Sequence, residues 1–320
     1  MNIKQIFQNY FTNEDGSYKN EITSEILDII YRKKLFKSFL PKELSGLSYS
    51  IHETLDLIKT CSYVNGSLGW LIQIGNGGNY FASNFPKEQS IQLFSSQKAV
   101  IAGSGSINGA VEKVNNGWRI NGKWKYCSGS EYATLFTFCI EIDGEIWAVI
   151  AEKEQVIVHQ DWNTFGMKAT STNTIELKNQ FIKKEQLFKV DRQLSWEEYP
   201  IFKLPFLIYA QVFFVHNLYG MLDRLGDESQ SDDLKRETKQ LLASSIKEHQ
   251  SILESVEINP IIDEITQNHF MNRYKKQVTN IQNQALKLFS AKSIYAVYEN
   301  NISGIFFRDI LTVCQHKLFK

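Results

Sequence analysis

Residues 117–130 read Gly117-Trp118-Arg119-Ile120-Asn121-Gly122-Lys123-Trp124-Lys125-Tyr126-Cys127-Ser128-Gly129-Ser130. Charged and aromatic residues alternate from Lys123 to Tyr126, the two-residue period of a strand with one wet face. A plain hairpin strand accounts for that alternation but not for the tail, Cys127 to Ser130. A glycine beside small hydroxyl residues at a strand end lets a flat ligand come close to the backbone. Three turn dipeptides, Asn116-Gly117, Asn121-Gly122 and Asp143-Gly144, separate alternating segments here. Residues 134–152, TLFTFCIEIDGEIWAVIAE, read as two strands about Asp143-Gly144, and VIVHQDW and TNTIELKNQFI continue the sheet.

Outward from this β block the pattern turns helical on both sides. Residues 22–37 place apolar side chains at near-helical spacing, and Ser50-Ile51-His52-Glu53 is a capping box opening a helix. The following run, NGSLGWLIQIGNGGNYFASNFP, is apolar but glycine-rich, which costs a helix stability unless something packs against its backbone. Beyond the β block, residues 204–222, LPFLIYAQVFFVHNLYGML, have the length of a membrane span. They also carry Gln211, His216 and Asn217, which lipid would leave unsatisfied, so a helix buried in a bundle is expected. Amphipathic stretches follow on either side of Pro260, and FFRDILTVCQHKLF supplies a last helix. The expected fold class is α+β with segregated layers: a helical domain over 1–96, a β domain over 97–195 and a helical bundle domain over 196–320.

Composition narrows the function classes. The chain has 320 residues, with 43% apolar and 22% charged residues, as in an ordinary folded protein. Lys+Arg and Asp+Glu are 35 each, and this balance argues against a nucleic-acid binder. Cys61, Cys127, Cys139 and Cys314 lie far apart, lack zinc-site spacing and are too few for a disulfide scaffold. Reduced thiols, no metal, no membrane and a cytoplasmic location are the expectations. The N-terminus, MNIKQIFQNYFTNEDGS, has no long apolar core of the secretory kind.

Four motifs together resemble the acyl-CoA dehydrogenase superfamily over nearly the whole chain. They are Asn65-Gly66-Ser67-Leu68-Gly69-Trp70, the Gly117–Gly129 strand, Asp161 to Thr172, and Phe306-Phe307-Arg308-Asp309-Ile310. Within it, Gly122-x-Trp124-x-x-x-Ser128-Gly129 and an Arg308-Asp309 dipeptide followed by His316 are most similar to the two-component flavin-dependent monooxygenases, the 4-hydroxyphenylacetate hydroxylase/DszC-like branch. The resemblance implies an N-terminal helical domain, a middle β-barrel domain and a C-terminal helical bundle. It also implies FAD or FMN, reduced by a separate flavin reductase, and oxygen transfer to a small aromatic or amine substrate.

The same resemblance suggests roles. Ser128 would face flavin N5, Tyr126 and Trp70 would wall the ring, and Gly129, Thr170 and Ser171 would also bind the cofactor. His316 would be a base on the substrate, its ordinary pKa suiting proton transfer. Asn76 and Asn79 would touch substrate, and Arg308 and Asp309 would pair within their helix. A homo-oligomer, dimer or homotetramer, is the family habit. Two alternatives stay open. An acyl-CoA or acyl-carrier dehydrogenase would need a carboxylate base, yet Lys317 stands where many such enzymes carry Glu, leaving Glu197, Glu198 or Glu299. A non-catalytic relative of the same fold is the other.

Overall fold

The computed structural model describes residues 3–15, 17–258 and 264–319. Pro260, read above as a break between two helices, lies outside them. Helices α1 (Ile3–Gln8), α2 (Ser24–Arg32), α3 (Ile51–Val64), α4 (Gly66–Asn79) and α5 (Lys87–Phe94) come first. Strands β1 (Ile101–Ile107), β2 (Ala110–Val114), β3 (Gly117–Cys127), β4 (Leu135–Ile142), β5 (Glu145–Glu152), β6 (Ile157–His159), β7 (Asn173–Lys183) and β8 (Leu187–Phe188) follow. Helices α6 (Phe206–Asp227), α7 (Asp232–Ile258), α8 (Glu264–Ser290) and α9 (Ile302–Val313) complete the chain.

Local chemistry sets the helix that carries Trp70. Ser50 and Glu53 form the reciprocal cap of α3, worth about 1 kcal/mol. Asn65 ends α3 and starts α4, its side chain accepting from the Leu68 amide at 2.9 Å. Four of the glycines of α4, Gly66, Gly69, Gly75 and Gly78, have the packing reason the sequence demanded, and Gly77 does not. A Cβ on Gly69 would stand 1.9 Å from Ser62 Oγ and 2.6 Å from the Ser62 backbone nitrogen, so α3 and α4 touch at backbone range. Helix α6, the apolar 204–222 stretch, runs through the middle of the molecule against α3, α4, α7, α8 and α9. Some of its polar groups find internal partners: Asn217 Nδ2 donates to Ser62 Oγ at 2.8 Å, and His216 Nδ1 lies 2.8 Å from the Val212 carbonyl, while Gln211 Oε1 and Asn217 Oδ1 are buried without one. Among the described residues no helix is long and apolar enough to cross a membrane.

The strands form two four-stranded sheets, ordered β1-β4-β5-β8 and β2-β3-β7-β6. Only β1–β4 among these pairings is parallel. A barrel was the expectation; the described strands instead end on the short β6 and β8, and the two sheets share one apolar cluster. Trp124 of β3 packs on Phe138 of β4 with ring centroids 4.2 Å apart, and its indole N–H donates to the Cys139 carbonyl at 3.0 Å. Asn116 and Asp143 take the left-handed backbone of true turns. Asn121-Gly122 does not turn: it lies within β3, where the β3–β7 register shifts between Ile120 and Gly122. A Cβ at Gly122 would meet the Gly109 α-carbon and the Trp124 ring, both at 2.7 Å, so this glycine serves a bulge packed on a neighbouring backbone.

Candidate active site

Strand β3 ends in a second irregularity. Its register on β7 shifts again between Trp124 and Cys127, and Tyr126 adopts φ +67. The bulge turns Tyr126 outward, where alternation would have buried it. It is 68% exposed and lines an open groove of about 560 Å³ with Ser106, Asn108, Lys123, His159, Asp161 and Thr174. Tyr126 and Trp70, expected to wall one ring together, therefore lie apart: Tyr126 on the groove, Trp70 buried.

Past the bulge the chain dives inward. Gly129, at φ +75, turns the backbone, and its amide donates to the Thr170 carbonyl at 2.9 Å. Ser128 becomes buried, and its Oγ accepts the Trp70 indole N–H at 2.9 Å. The same oxygen lies 2.8 Å from Thr172 Oγ1, which lies 2.6 Å from Thr170 Oγ1, which donates to the Met167 carbonyl at 2.8 Å. Thr170 is buried and spends its hydroxyl inside this chain, so it offers a cofactor no direct bond. Ser171, in a left-handed conformation, directs its hydroxyl to Glu131 at 2.9 Å, on the other side of the segment. Thr172 was not singled out from sequence; the alternation of hydroxyls in Thr170-Ser171-Thr172 was the available signal.

His316 arrives from the far end of the chain, just beyond α9. Its ring lies 6.0 Å from that of Trp70 and 4.4 Å from that of Phe214. The structure thus brings Ser128 and His316 to the same place, with the Trp70 indole between them. The Leu318 amide donates to His316 Nδ1 at 3.3 Å, which assigns the ring proton to Nε2. Burial lowers its pKa to about 4, so the imidazole is neutral at pH 7. With its proton on Nε2, the neutral ring presents an N–H donor.

Asn76 does not face substrate. Its Oδ1 accepts from the Ser38 amide and hydroxyl, both at 2.8 Å, and its Nδ2 donates to the Leu35 and Ile72 carbonyls, both at 2.8 Å. Every hydrogen-bonding group of the side chain is consumed in tying residues 35–38 to α4. Asn79 Nδ2 likewise donates to the Phe36 carbonyl at 2.6 Å, but its Oδ1 is buried without a partner. Arg308 and Asp309 do not pair either. Arg308 donates outward to the Glu299 carbonyl at 2.7 Å, while Asp309 turns inward and accepts the Met167 amide through Oδ1. Asp309 Oδ2 is buried without a partner, and burial raises the carboxyl pKa to about 7. One residue, Met167, therefore joins α9 to the hydroxyl chain, its amide bonded to Asp309 and its carbonyl to Thr170. Glu197, Glu198 and Glu299 are all exposed, and the Glu299 carboxylate pairs with Lys168. Among the described residues no group of three or more His, Cys, Asp or Glu could hold a metal ion.

The residues present fit a flavin. Tyr126 offers an uncovered aromatic face, and Lys123 and Lys125 line the same groove with charge for an anionic tail; Ser128, two residues on, is buried.

No protein-family model matches the chain. It is 26% identical over 199 residues to an indole-3-acetate monooxygenase of Pseudomonas putida, covering 60% of this chain and 50% of the relative. The chain spans about half the length of the curated relatives it matches. Among solved structures, XiaF from Streptomyces sp., in complex with FADH2 and glycerol, superposes with a TM-score of 0.85 at 18% identity, covering 99% of this chain and 90% of XiaF. FMN-bound TdsC from Paenibacillus sp. A11-2 superposes with a TM-score of 0.76 at 15% identity, covering 98% and 91%. The fold is therefore the acyl-CoA dehydrogenase-like fold of flavin-dependent monooxygenase oxygenase components.

Proposed function

We propose that this chain is the oxygenase component of a two-component flavin-dependent monooxygenase, an oxidoreductase that takes reduced flavin from a separate reductase and hydroxylates a small aromatic or amine substrate. The overall balance is substrate, O2 and reduced flavin to hydroxylated substrate, water and oxidised flavin. Reduced flavin, when bound, supplies the two electrons that activate oxygen. The observation that carries this reading is the meeting of Ser128 and His316 across Trp70, from chain positions far apart.

Each residue then has a task that follows from its chemistry. Tyr126 stacks on the flat ring and Lys123 holds an anionic tail. Ser128 bonds the ring edge at N5. The buried Trp70 and Phe214 keep water from the reacting face, where charge interactions gain strength. Neutral His316 donates its Nε2 proton to a substrate oxygen or nitrogen and orients it. A dehydrogenase reading is less supported, because the candidate base carboxylates are on the surface. Ile294, Tyr295, Val297 and Tyr298 are each more than half exposed, and this apolar run supports a homo-oligomer, which a solution mass would test.

The test is to mix the protein anaerobically with FMNH2 or FADH2, admit oxygen with a panel of phenols, indoles and amines, and count hydroxylated product per flavin oxidised. Ser128→Ala is expected to lower that ratio about tenfold, the effect of one hydrogen bond of roughly 1.4 kcal/mol. A wild-type protein that binds neither flavin, or an unchanged ratio in the variant, refutes the reading.

A further inference from the structure

His316 is walled by aromatic rings. Its centroid lies 4.4 Å from that of Phe214, 6.0 Å from that of Trp70 and 6.4 Å from that of Phe319. Trp70 packs on Phe214 at 4.8 Å, and Phe319 meets Phe214 edge to face at 6.2 Å. These are the separations of rings in contact, and protein interiors leave few gaps between such neighbours. The open groove beside Tyr126 is lined by none of the four. A substrate that is to accept the His316 Nε2 proton therefore needs one wall to give way.

The three walls are not equally fixed. Trp70 donates its indole N–H to Ser128 Oγ at 2.9 Å and stands on α4, which Gly69 brings to backbone range of α3. Phe214 stands on α6, in the middle of the molecule. Phe319 stands on a single helical turn, Lys317–Phe319, whose Lys317 is exposed while its phenyl ring is buried. The amides of Leu318 and Phe319 bond locally to His316, at Nδ1 (3.3 Å) and at the carbonyl (2.9 Å). The turn is tied to α6 by Gln211 Nε2, which donates to the Leu318 carbonyl at 3.4 Å, the long limit of a hydrogen bond. Gln211 is buried and its Oε1 has no partner, so it is an imperfect latch. A one-turn segment held mainly by local bonds opens far more readily than a packed helix.

We propose that the Lys317–Phe319 turn is a gate: Phe319 swings out to let an aromatic ring in beside His316, and the turn closes again behind it. The proposal rests on the reading above that His316 holds the substrate. While the gate is closed the place beside His316 is occupied by Phe319, so the rate of entry is reduced by the fraction of time the turn stands open. Closing behind the substrate keeps water from the reacting face. Gln211 is the latch that sets that fraction.

The experiment measures association rates of indole and phenol with the full chain by stopped flow, under anaerobic conditions, with reduced FMN present and without it. Hydrogen exchange over residues 315–319 is followed alongside by mass spectrometry. Phe319→Ala is expected to raise the association rate about tenfold, since no ring then has to leave. Gln211→Leu keeps every ring but loosens the latch, and should raise it about threefold, the worth of one long hydrogen bond. Either probe should slow exchange over 315–319 in the wild type as the turn closes over it. Gln211→Leu and the exchange measurement carry the test alone should Phe319→Ala not fold. A wild-type rate in Gln211→Leu overturns the gate even if Phe319→Ala is faster, because the ring would then be a fixed plug. Exchange that the probes leave unchanged overturns it too. Probes that bind none of the three proteins overturn the substrate reading and the gate with it. Gated entry of the probes with no binding of reduced FMN overturns the flavin reading and supports the gate.

Discussion

Replacing Asp309 with asparagine isolates one buried charge. In the folded protein Oδ1 accepts the Met167 amide, Oδ2 has no partner, and burial raises the pKa from 3.8 to about 7. In the unfolded chain the carboxyl ionises near its ordinary value. Between about pH 3.8 and 7 the unfolded state has given up this proton and the folded state has kept it, so stability falls as pH rises through that window. At roughly 1.36 kcal/mol per pKa unit, the cost reaches about 4 kcal/mol at pH 8 but only about 1.6 kcal/mol at pH 5. The side-chain amide in Asp309→Asn keeps the oxygen that the Met167 amide needs and cannot ionise. Urea unfolding of both proteins at pH 5 and pH 8 should therefore show the variant gaining about 2.5 kcal/mol on the wild type between the two conditions. Other titrating groups cancel in that comparison. A gap that does not change with pH refutes the assignment of a protonated, uncompensated carboxyl to this position.

Two further outcomes are expected. His216 is buried in α6 and its pKa is lowered to about 4 by that burial; the unfolded chain takes a proton at this position below about 6.5, so stability is lost as pH falls from 6.5 to 4. His216→Asn should lessen that acid loss by about 2 kcal/mol, read from urea midpoints at pH 6.5 and 4.5. Gly69→Ala drives a methyl to 1.9 Å from Ser62 Oγ and against the Ser62 backbone. Parting α3 from α4 should cost about 3 kcal/mol or more in unfolding free energy, and thermal unfolding of the variant at the wild-type temperature would exclude the close approach.

The sequence made the architecture legible where two local signals agreed. The capping box at Ser50 and Glu53, the turns at Asn116 and Asp143, and the buried helix over 204–222 each combine a periodic pattern with a residue that has a backbone reason to be there. Asn121-Gly122 misled because a glycine suits a bulge as well as a turn, and only the partner strand β7 decides between them. The candidate site divides the same way. Trp70 touches both Ser128 and the His316 ring, residues whose separate motifs carry no information about distance. Tyr126 turns outward because a register shift, invisible in one strand, reverses its face. The side-chain NH2 groups of Asn76 and Asn79 go to carbonyls of residues 35, 36 and 72, a demand set by tertiary packing.

The pairing of β3 with β7 has a consequence for biogenesis. During synthesis β3 leaves the ribosome well before its ladder partner, after which β4, β5 and β6 emerge in turn. Until β7 follows, the edge bearing Trp124 stays open to stray association, and a nascent chain stalled in that interval is the species a chaperone would meet. Ser128 gains its neighbour Thr172 only when that strand docks, so the chemistry of the pocket is among the last things the growing polypeptide can acquire.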